Sequence, residues 1–326
     1  MSAISLPKLP ALASSPVAVE VLNGLTERPK TLSPWLFYDE AGSRLFEAIT
    51  ELPEYYVTRT ERQILARHAD EIVSAAAGGR LLSMIELGAG TATKTGLLLN
   101  AAVGLQGSVT YHPIDVSKTA LEEARSRLEA ELPEVTVEPI VADYTEGMRQ
   151  NSTASTGRRL VLYIGSSIGN FSPAEAVEVL RGVRGQLSPG DCLLLGTDMV
   201  KDRRMLLDAY DDAAGVTARF NMNVLTRINR ELDANFNPHL FRHQARWNEQ
   251  DARIEMHLES LLAQKVTVRA LDLEVRFRVG ETIHTENSYK FTDQRVSDLL
   301  TRAGFRLRQQ WSDANKWFTV YLAAAR

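Results

Sequence analysis

The chain has 326 residues, 44 % hydrophobic and 24 % charged, which predicts a soluble globular protein of one large or two modest domains. A net charge of −4, with no long basic run, argues against a nucleic-acid or anionic-membrane partner. The single cysteine, Cys192, excludes an intrachain disulfide and fits a reduced, cytoplasmic setting.

Residues 1–19 hold no basic region followed by an apolar core, so they do not read as a secretion signal, and no apolar run reaches membrane-spanning length. The aromatic runs Trp35-Leu36-Phe37-Tyr38 and Leu52-Pro53-Glu54-Tyr55-Tyr56 precede the first sheet strand. That strand begins the stretch Leu81–Thr95, where an apolar run stops at Glu86-Leu87-Gly88-Ala89-Gly90 and a helical segment follows. Strand, glycine turn and helix in that order let a backbone approach a nucleotide ligand, with free N–H donors at the helix start.

Strands are then expected at Leu81–Leu87, Val109–Asp115, Val135–Ala142, Arg159–Ile164 and Cys192–Thr197. Helical patterns fit Lys94–Val103, Ala120–Leu132 and Ala174–Leu187. The alternation implies an α/β fold with a parallel sheet and ligand sites at the strand carboxyl ends. Between Asp202 and Tyr289 the pattern changes: a helical stretch, Met205–Glu231, precedes strands at His239–Trp247, Arg253–Leu262 and Leu271–Val279. Asn248-Glu249-Gln250-Asp251 reads as a hairpin loop. This middle part is expected to form an inserted α+β element over the carboxyl edge of the sheet, the place for a substrate pocket. The chain closes with an amphipathic helix, Thr292–Ala303, and two strands, Phe305–Trp311 and Trp317–Ala324. The organisation expected is a nucleotide-binding domain of residues 61–200 and 290–326, with a substrate domain of 1–60 and 201–289.

Three side chains fall where a nucleotide cofactor needs them. Asp115, ending the second strand, is suited to two ribose hydroxyls, and Asp143, beside Tyr144, to an exocyclic amine. Lys94, one turn into the first helix, is suited to a carboxylate. The bland alternatives are turn or cap roles for the two acids and a solvated charge for Lys94. The E-x-G-x-G turn resembles the first motif of class I S-adenosylmethionine (SAM) methyltransferases, although Ala92 stands where their third glycine does. A terminal antiparallel hairpin is also a mark of that fold. A nicotinamide cofactor is the rival, and both Glu86 and the hairpin count against it.

Longer segments carry a more specific resemblance. Phe37-Tyr38-Asp39, Leu52–Glu61, Ile85–Thr95, Gly165–Phe171, Gly196-Thr197-Asp198, Ala209–Val216, Arg253–Met256 and Glu281–Phe291 resemble the histidine-specific SAM-dependent methyltransferases of ergothioneine biosynthesis. The resemblance covers nearly the whole chain. It implies trimethylation of the α-amino group of free L-histidine to hercynine, with SAM as co-substrate; no metal and a monomer are also expected. It further implies that Tyr55, Asn170 and Tyr210 hold the substrate carboxylate, that Asn170 and Tyr38 face the amine, and that Glu286 and Ser288 bind the imidazole with Met256 against the ring. On the cofactor side it falls on Gly88, Lys94, Asp115 and Asp143.

Residue chemistry agrees with part of this. The Asn170 amide offers both donor and acceptor to an amino acid's two charged ends; its alternative is a helix N-cap before Ser172-Pro173. Glu286 lies in a polar extended run and is either a surface acid or the partner of an N–H group. The tyrosines also fit ordinary core aromatics, and Met256, alternating with Ile254 and Leu258, fits core packing. His239 and His243 have i, i+4 spacing but no further ligand type beside them, so structural histidines are expected. A methyltransferase for another aromatic amino acid such as tryptophan, or a SAM-binding sensor without catalysis, are the alternatives; the acid at Glu286 and the converging tyrosines and Asn170 weigh against them.

Overall fold

The computed structural model describes residues 15–150 and 157–326; residues 1–14 of the N-terminal stretch read above for a secretion signal lie outside them. The described chain forms two compact units, one of residues up to Tyr55 plus Asp202–Asn287, the other of Tyr56–Lys201 plus Ser288–Arg326.

The second unit is built on an eight-stranded sheet. The strands Leu82–Leu87, Val109–Asp115, Arg158–Tyr163 and Cys192–Asp198 run parallel in its centre. Most of their residues are buried, completely so along Cys192–Asp198, as expected of strands covered on both faces. The hairpin of Phe305–Ser312 and Phe318–Ala325 closes one edge, antiparallel to Cys192–Asp198. This is the α/β fold, parallel in its centre and closed by a terminal antiparallel hairpin, that the sequence leads one to expect. The expected strand Val135–Ala142 is split into Val135–Val137 and Ile140–Val141. Pro139 lies at the break, and a proline has no N–H to give the ladder. The helix placed at Lys94 begins at Gly96, after a turn in which Ala92 has φ +51°. Ser172, not Asn170, caps the helix Pro173–Gly185, with Glu175 completing a capping box.

The first unit holds a four-stranded sheet of Lys30–Thr31, Thr282–Tyr289, Arg253–Ser260 and Phe241–Asn248, together with the helices Pro16–Thr26, Glu40–Thr50 and Val216–Leu232. A separate hairpin pairs Gln264–Val268 with Leu273–Phe277. The expected hairpin at Asn248–Asp251 joins two of the strands. The single helix expected over Met205–Glu231 is two helices, Arg203–Asp208 and Val216–Leu232. Gly215 at φ +66° precedes the second, and the Asp212 carboxylate caps it through the Val216 and Thr217 amides at 2.8 and 2.7 Å.

Candidate active site

The glycine turn is shaped for close approach. Gly88 and Gly90 have φ of +67° and +52°, and a Cβ built on Gly90 meets nothing within 4 Å. At Gly88 a Cβ would lie 3.0 Å from the Tyr144 hydroxyl, so that glycine brings Tyr144 against the turn. Asp115 reaches the same turn: Oδ2 accepts from the Gly90 amide at 2.9 Å and Oδ1 from Ser117 N at 2.8 Å. Gly88, Asp115 and Tyr144 are thereby brought together beyond the carboxyl ends of Leu82–Leu87, Val109–Asp115 and Ile140–Val141. Ala92 carries its methyl group in the left-handed region, at a cost of about 1–2 kcal/mol by general sterics.

Asp143 takes the cap role: its Oδ1 accepts from the Thr145 and Glu146 amides at 2.9 and 3.0 Å, at the start of Tyr144–Gln150. Lys94 is placed differently from expectation. It precedes the helix instead of lying one turn inside it, and its ammonium is paired with the buried carboxylate of Glu61. Glu61 also accepts the Gly165 amide, at 2.9 and 3.0 Å. A Cβ at Gly196 would lie 2.2 Å from Glu61 Oε1, so that glycine makes the carboxylate's space. Glu86 is buried and bonded within the protein: it accepts from Thr95 Oγ1 at 2.7 Å and from the Tyr111 hydroxyl. Burial pushes its carboxyl up to about 7.

Three of the expected substrate residues meet within the first unit. Tyr38 lies edge-on to Phe46 and Phe220, at 5.8 and 5.7 Å between ring centroids, and Tyr55 lies 6.3 Å from Tyr210 and 6.4 Å from Phe46. Asp39 braces the cluster, accepting from Gly42 N at 2.8 Å, Asn223 Nδ2 at 2.7 Å and Arg230 Nη2 at 2.8 Å. The Tyr210 carbonyl accepts from His243 Nε2 at 2.8 Å, and Asn221 Nδ2 donates to His243 Nδ1 at 2.8 Å. Burial lowers the pKa of His243, in keeping with this neutral, structural role. Met256 is 1 % exposed and packs with Ile254 and Leu258 in the core, its bland alternative.

Glu286 and Ser288 stand two positions apart on Thr282–Tyr289, and the Glu286 carbonyl is bonded by His284 Nε2 at 3.0 Å. In the second unit Asn170 is half-buried and ends the short 3-10 turn Ser167–Asn170. The structure adds polar residues that the sequence reading did not assign. Asp198, fully buried at a strand end, takes Lys201, Lys290 at 2.8 Å and the Tyr56 hydroxyl at 2.8 and 2.9 Å. Both Asp198 and Lys290 lie in the segments that carry the resemblance. Their charge in otherwise apolar or extended runs was the signal available.

Glu255, His257 and His284 place ligand-type atoms within 4.8 Å of one another, a metal-like trio that sequence spacing did not reveal. Several of its donors are already engaged, although the buried His257 Nδ1 has no hydrogen-bond partner. Glu255 Oε1 accepts from Asn248 Nδ2 at 2.9 Å and Arg253 Nε at 2.8 Å, and Oε2 binds His257 Nε2 at 3.1 Å. The two imidazoles stack at 4.7 Å with planes 18° apart, so their in-plane lone pairs do not converge on one point. Burial, reinforced by His284, pushes His257 down to about 4, which leaves it neutral near pH 7. No described helix is long and apolar enough to cross a membrane.

Comparison with known proteins decides what this arrangement belongs to. A profile described as "Histidine-specific methyltransferase, SAM-dependent" matches residues 17–325. The chain belongs to this family. Among family relatives, the histidine N-alpha-methyltransferase of Mycolicibacterium smegmatis is 46 % identical over 93 % of this chain and 93 % of its own length. That of Mycobacterium tuberculosis is 43 % identical over 94 % of each chain. Ergothioneine biosynthesis protein 1 of Neurospora crassa is 29 % identical, over 91 % of this chain and 34 % of its own length. As a histidine-specific methyltransferase, the chain is an enzyme that takes methyl groups from SAM.

Proposed function

We propose that the protein transfers three methyl groups from SAM to the α-amino nitrogen of free L-histidine, giving hercynine, the trimethylated amino acid of ergothioneine biosynthesis. Full-length kinship to histidine N-alpha-methyltransferases is the observation that carries this reading. The substrate roles are those that the family resemblance implies at these positions.

SAM, when bound, supplies a methyl group made electrophilic by its sulfonium. The Gly88–Gly90 turn and Tyr144 receive the nucleoside, the Asp115 carboxylate accepts from the ribose hydroxyls, Asp143 Oδ2 accepts from the adenine amine, and Lys94 meets the methionine carboxylate. Glu61 keeps the Lys94 ammonium beside the Gly165 loop.

On the substrate side, Tyr55, Tyr210 and Asn170 grip the carboxylate, Tyr38 and Asn170 orient the amine, and Glu286 and Ser288 bind the ring. Displacement at a methyl carbon needs no accumulated anion, so orientation dominates. Aligning the amine lone pair contributes on the order of 7–11 kcal/mol in well-oriented intramolecular models. The α-ammonium must shed its proton first, a loss repeated before each transfer, so three protons leave for every three methyls gained. Aromatic packing on Phe46 holds Tyr38 and Tyr55 in place while the nitrogen acquires bulk.

Mass spectrometry of L-histidine incubated with SAM tests the reading. Species with one, two and three added methyls, all on the α-nitrogen, are expected; accumulation of ring-methylated histidine alone would overturn it.

A further inference from the structure

An open cavity of about 620 Å³ is lined by Ser74, Gly78, Arg158, Arg306 and Arg308, with three neighbours. All lie in the unit built on the eight-stranded sheet. Arg158 opens the strand Arg158–Tyr163 and pairs in register with Leu82, where the strand before the glycine turn begins. Arg306 stands opposite Ala324, which stands opposite Cys192, the start of a third central strand. The cavity is therefore at the amino ends of the parallel strands, away from Gly88 and Asp115 at their carboxyl ends.

Two of the arginines are held on the last turn of helix Tyr56–Ala77. Arg158 Nη1 donates to the Ala76 carbonyl and Arg308 Nη1 to the Ala75 carbonyl, each at 3.3 Å. Gly78 has φ +54°, and a Cβ there would collide with the Arg158 guanidinium, so that glycine makes the arginine's seat. On the edge strand, Leu307 faces Ala323 and Gln309 faces Leu322, which leaves Arg308 as the extra residue of a β-bulge. The bulge aims both Arg308 and Gln309 at the helix, where Gln309 Nε2 donates to Glu71 Oε1 at 3.4 Å.

Capping a helix end explains two arginines and not the third. The Arg306 side chain makes no hydrogen bond or ion pair among the described residues, and none of the three arginines there pairs with a carboxylate. The acids nearby in the chain are taken: Glu71 Oε2 accepts from Trp311 Nε1 at 2.8 Å, and Asp191 Oδ2 from Arg159 at 2.9 and 3.0 Å. Each carbonyl bond uses one of an arginine's five N–H donors, so several donors and three positive charges face a cavity with nothing to offset them. Guanidinium forks match the paired oxygens of phosphate.

We propose that Arg158, Arg306 and Arg308 form a second ligand site, separate from the cofactor turn, that binds a polyphosphate, either free or as the phosphate chain of a nucleotide. One phosphate group carries about −1.5 to −2 and would leave a guanidinium unmatched, whereas two linked phosphates balance all three. The site goes beyond the histidine reading and does not depend on it.

Calorimetry on the full chain tests this at about 0.15 M salt, with inorganic pyrophosphate as the probe. Saturating S-adenosylhomocysteine keeps the nucleoside site occupied. Pyrophosphate is expected to bind with a Kd below about 1 mM. Arg306→Gln and Arg308→Gln should each weaken it at least about tenfold, and inorganic phosphate should bind at least about tenfold more weakly than pyrophosphate. Arg44→Gln removes the same charge from an exposed residue of the other unit and should change the affinity by less than about twofold. ADP separates the two sources: tighter binding than pyrophosphate makes the ligand a nucleotide, and equal or weaker binding makes it the free polyphosphate. Arg306→Gln, at an exposed side chain with no bond to lose, should keep its S-adenosylhomocysteine affinity and histidine turnover, and it decides alone should Arg308→Gln not fold. A Kd above about 1 mM, an undiminished affinity in Arg306→Gln, an equal loss in Arg44→Gln, or phosphate binding as tightly as pyrophosphate would each overturn the proposal.

Discussion

The carboxylate of Glu61 holds the ammonium of Lys94, and the same carboxylate accepts the backbone amide of Gly165. One buried acid from helix Tyr56–Ala77 thus ties the turn after the first central strand to the loop after Arg158–Tyr163. Replacing it with the isosteric Glu61→Gln keeps the volume but removes the charge that anchors Lys94. Loss of a charge-assisted bond of this kind is worth about 1.5–3 kcal/mol, so S-adenosylhomocysteine should bind at least about tenfold more weakly. Titration calorimetry measures this, and unchanged affinity would show that Lys94 needs no anchor to serve the cofactor.

The nucleotide-binding half was legible because its signals are local. The run Val109–Asp115 is the strand that the structure forms, and Ser172-Pro173 marks a helix start that the capping box bears out. Ala92 was legible as the position where a methyl group must be tolerated, but its left-handed backbone was not. Nothing local distinguishes an alanine forced into φ +51° from one in a helix. The Glu61–Lys94 and Asp198–Lys290 pairs were hidden for another reason. Their partners lie 33 and 92 residues apart in the chain, and side chains that meet only through the tertiary fold leave no spacing pattern. Met256 was readable both ways, and its near-complete burial favours packing.

Glu286→Ala should weaken histidine binding by about 1.5–3 kcal/mol, the worth of one hydrogen bond to a charged group. Affinity for S-adenosylhomocysteine should stay within twofold of the unmodified protein, roughly the scatter expected between independent sites. Calorimetry with each ligand separates the two effects. Unchanged histidine binding would make Glu286 a structural residue.

Glu86 should give stability a specific pH dependence. Its folded pKa of about 7 lies above the ordinary 4.5, so the folded state binds the proton more strongly. Its contribution to stability is therefore greatest below pH 4.5 and declines as pH rises to about 7. Glu86→Gln cannot titrate. Between pH 5 and pH 7.5 the unmodified protein should lose about 2–3 kcal/mol of stability relative to that variant, from 1.36 kcal/mol per pKa unit. Urea unfolding at the two pH values measures the difference, and parallel pH dependences would contradict it.

SAM consumption measured across the twenty standard amino acids, one at a time, bears most directly on substrate identity. L-histidine should support turnover at least about a hundredfold above any other, as expected where a site's polar groups must find matching donors and acceptors on the substrate. Turnover of tryptophan equal to or faster than that of histidine would contradict the account.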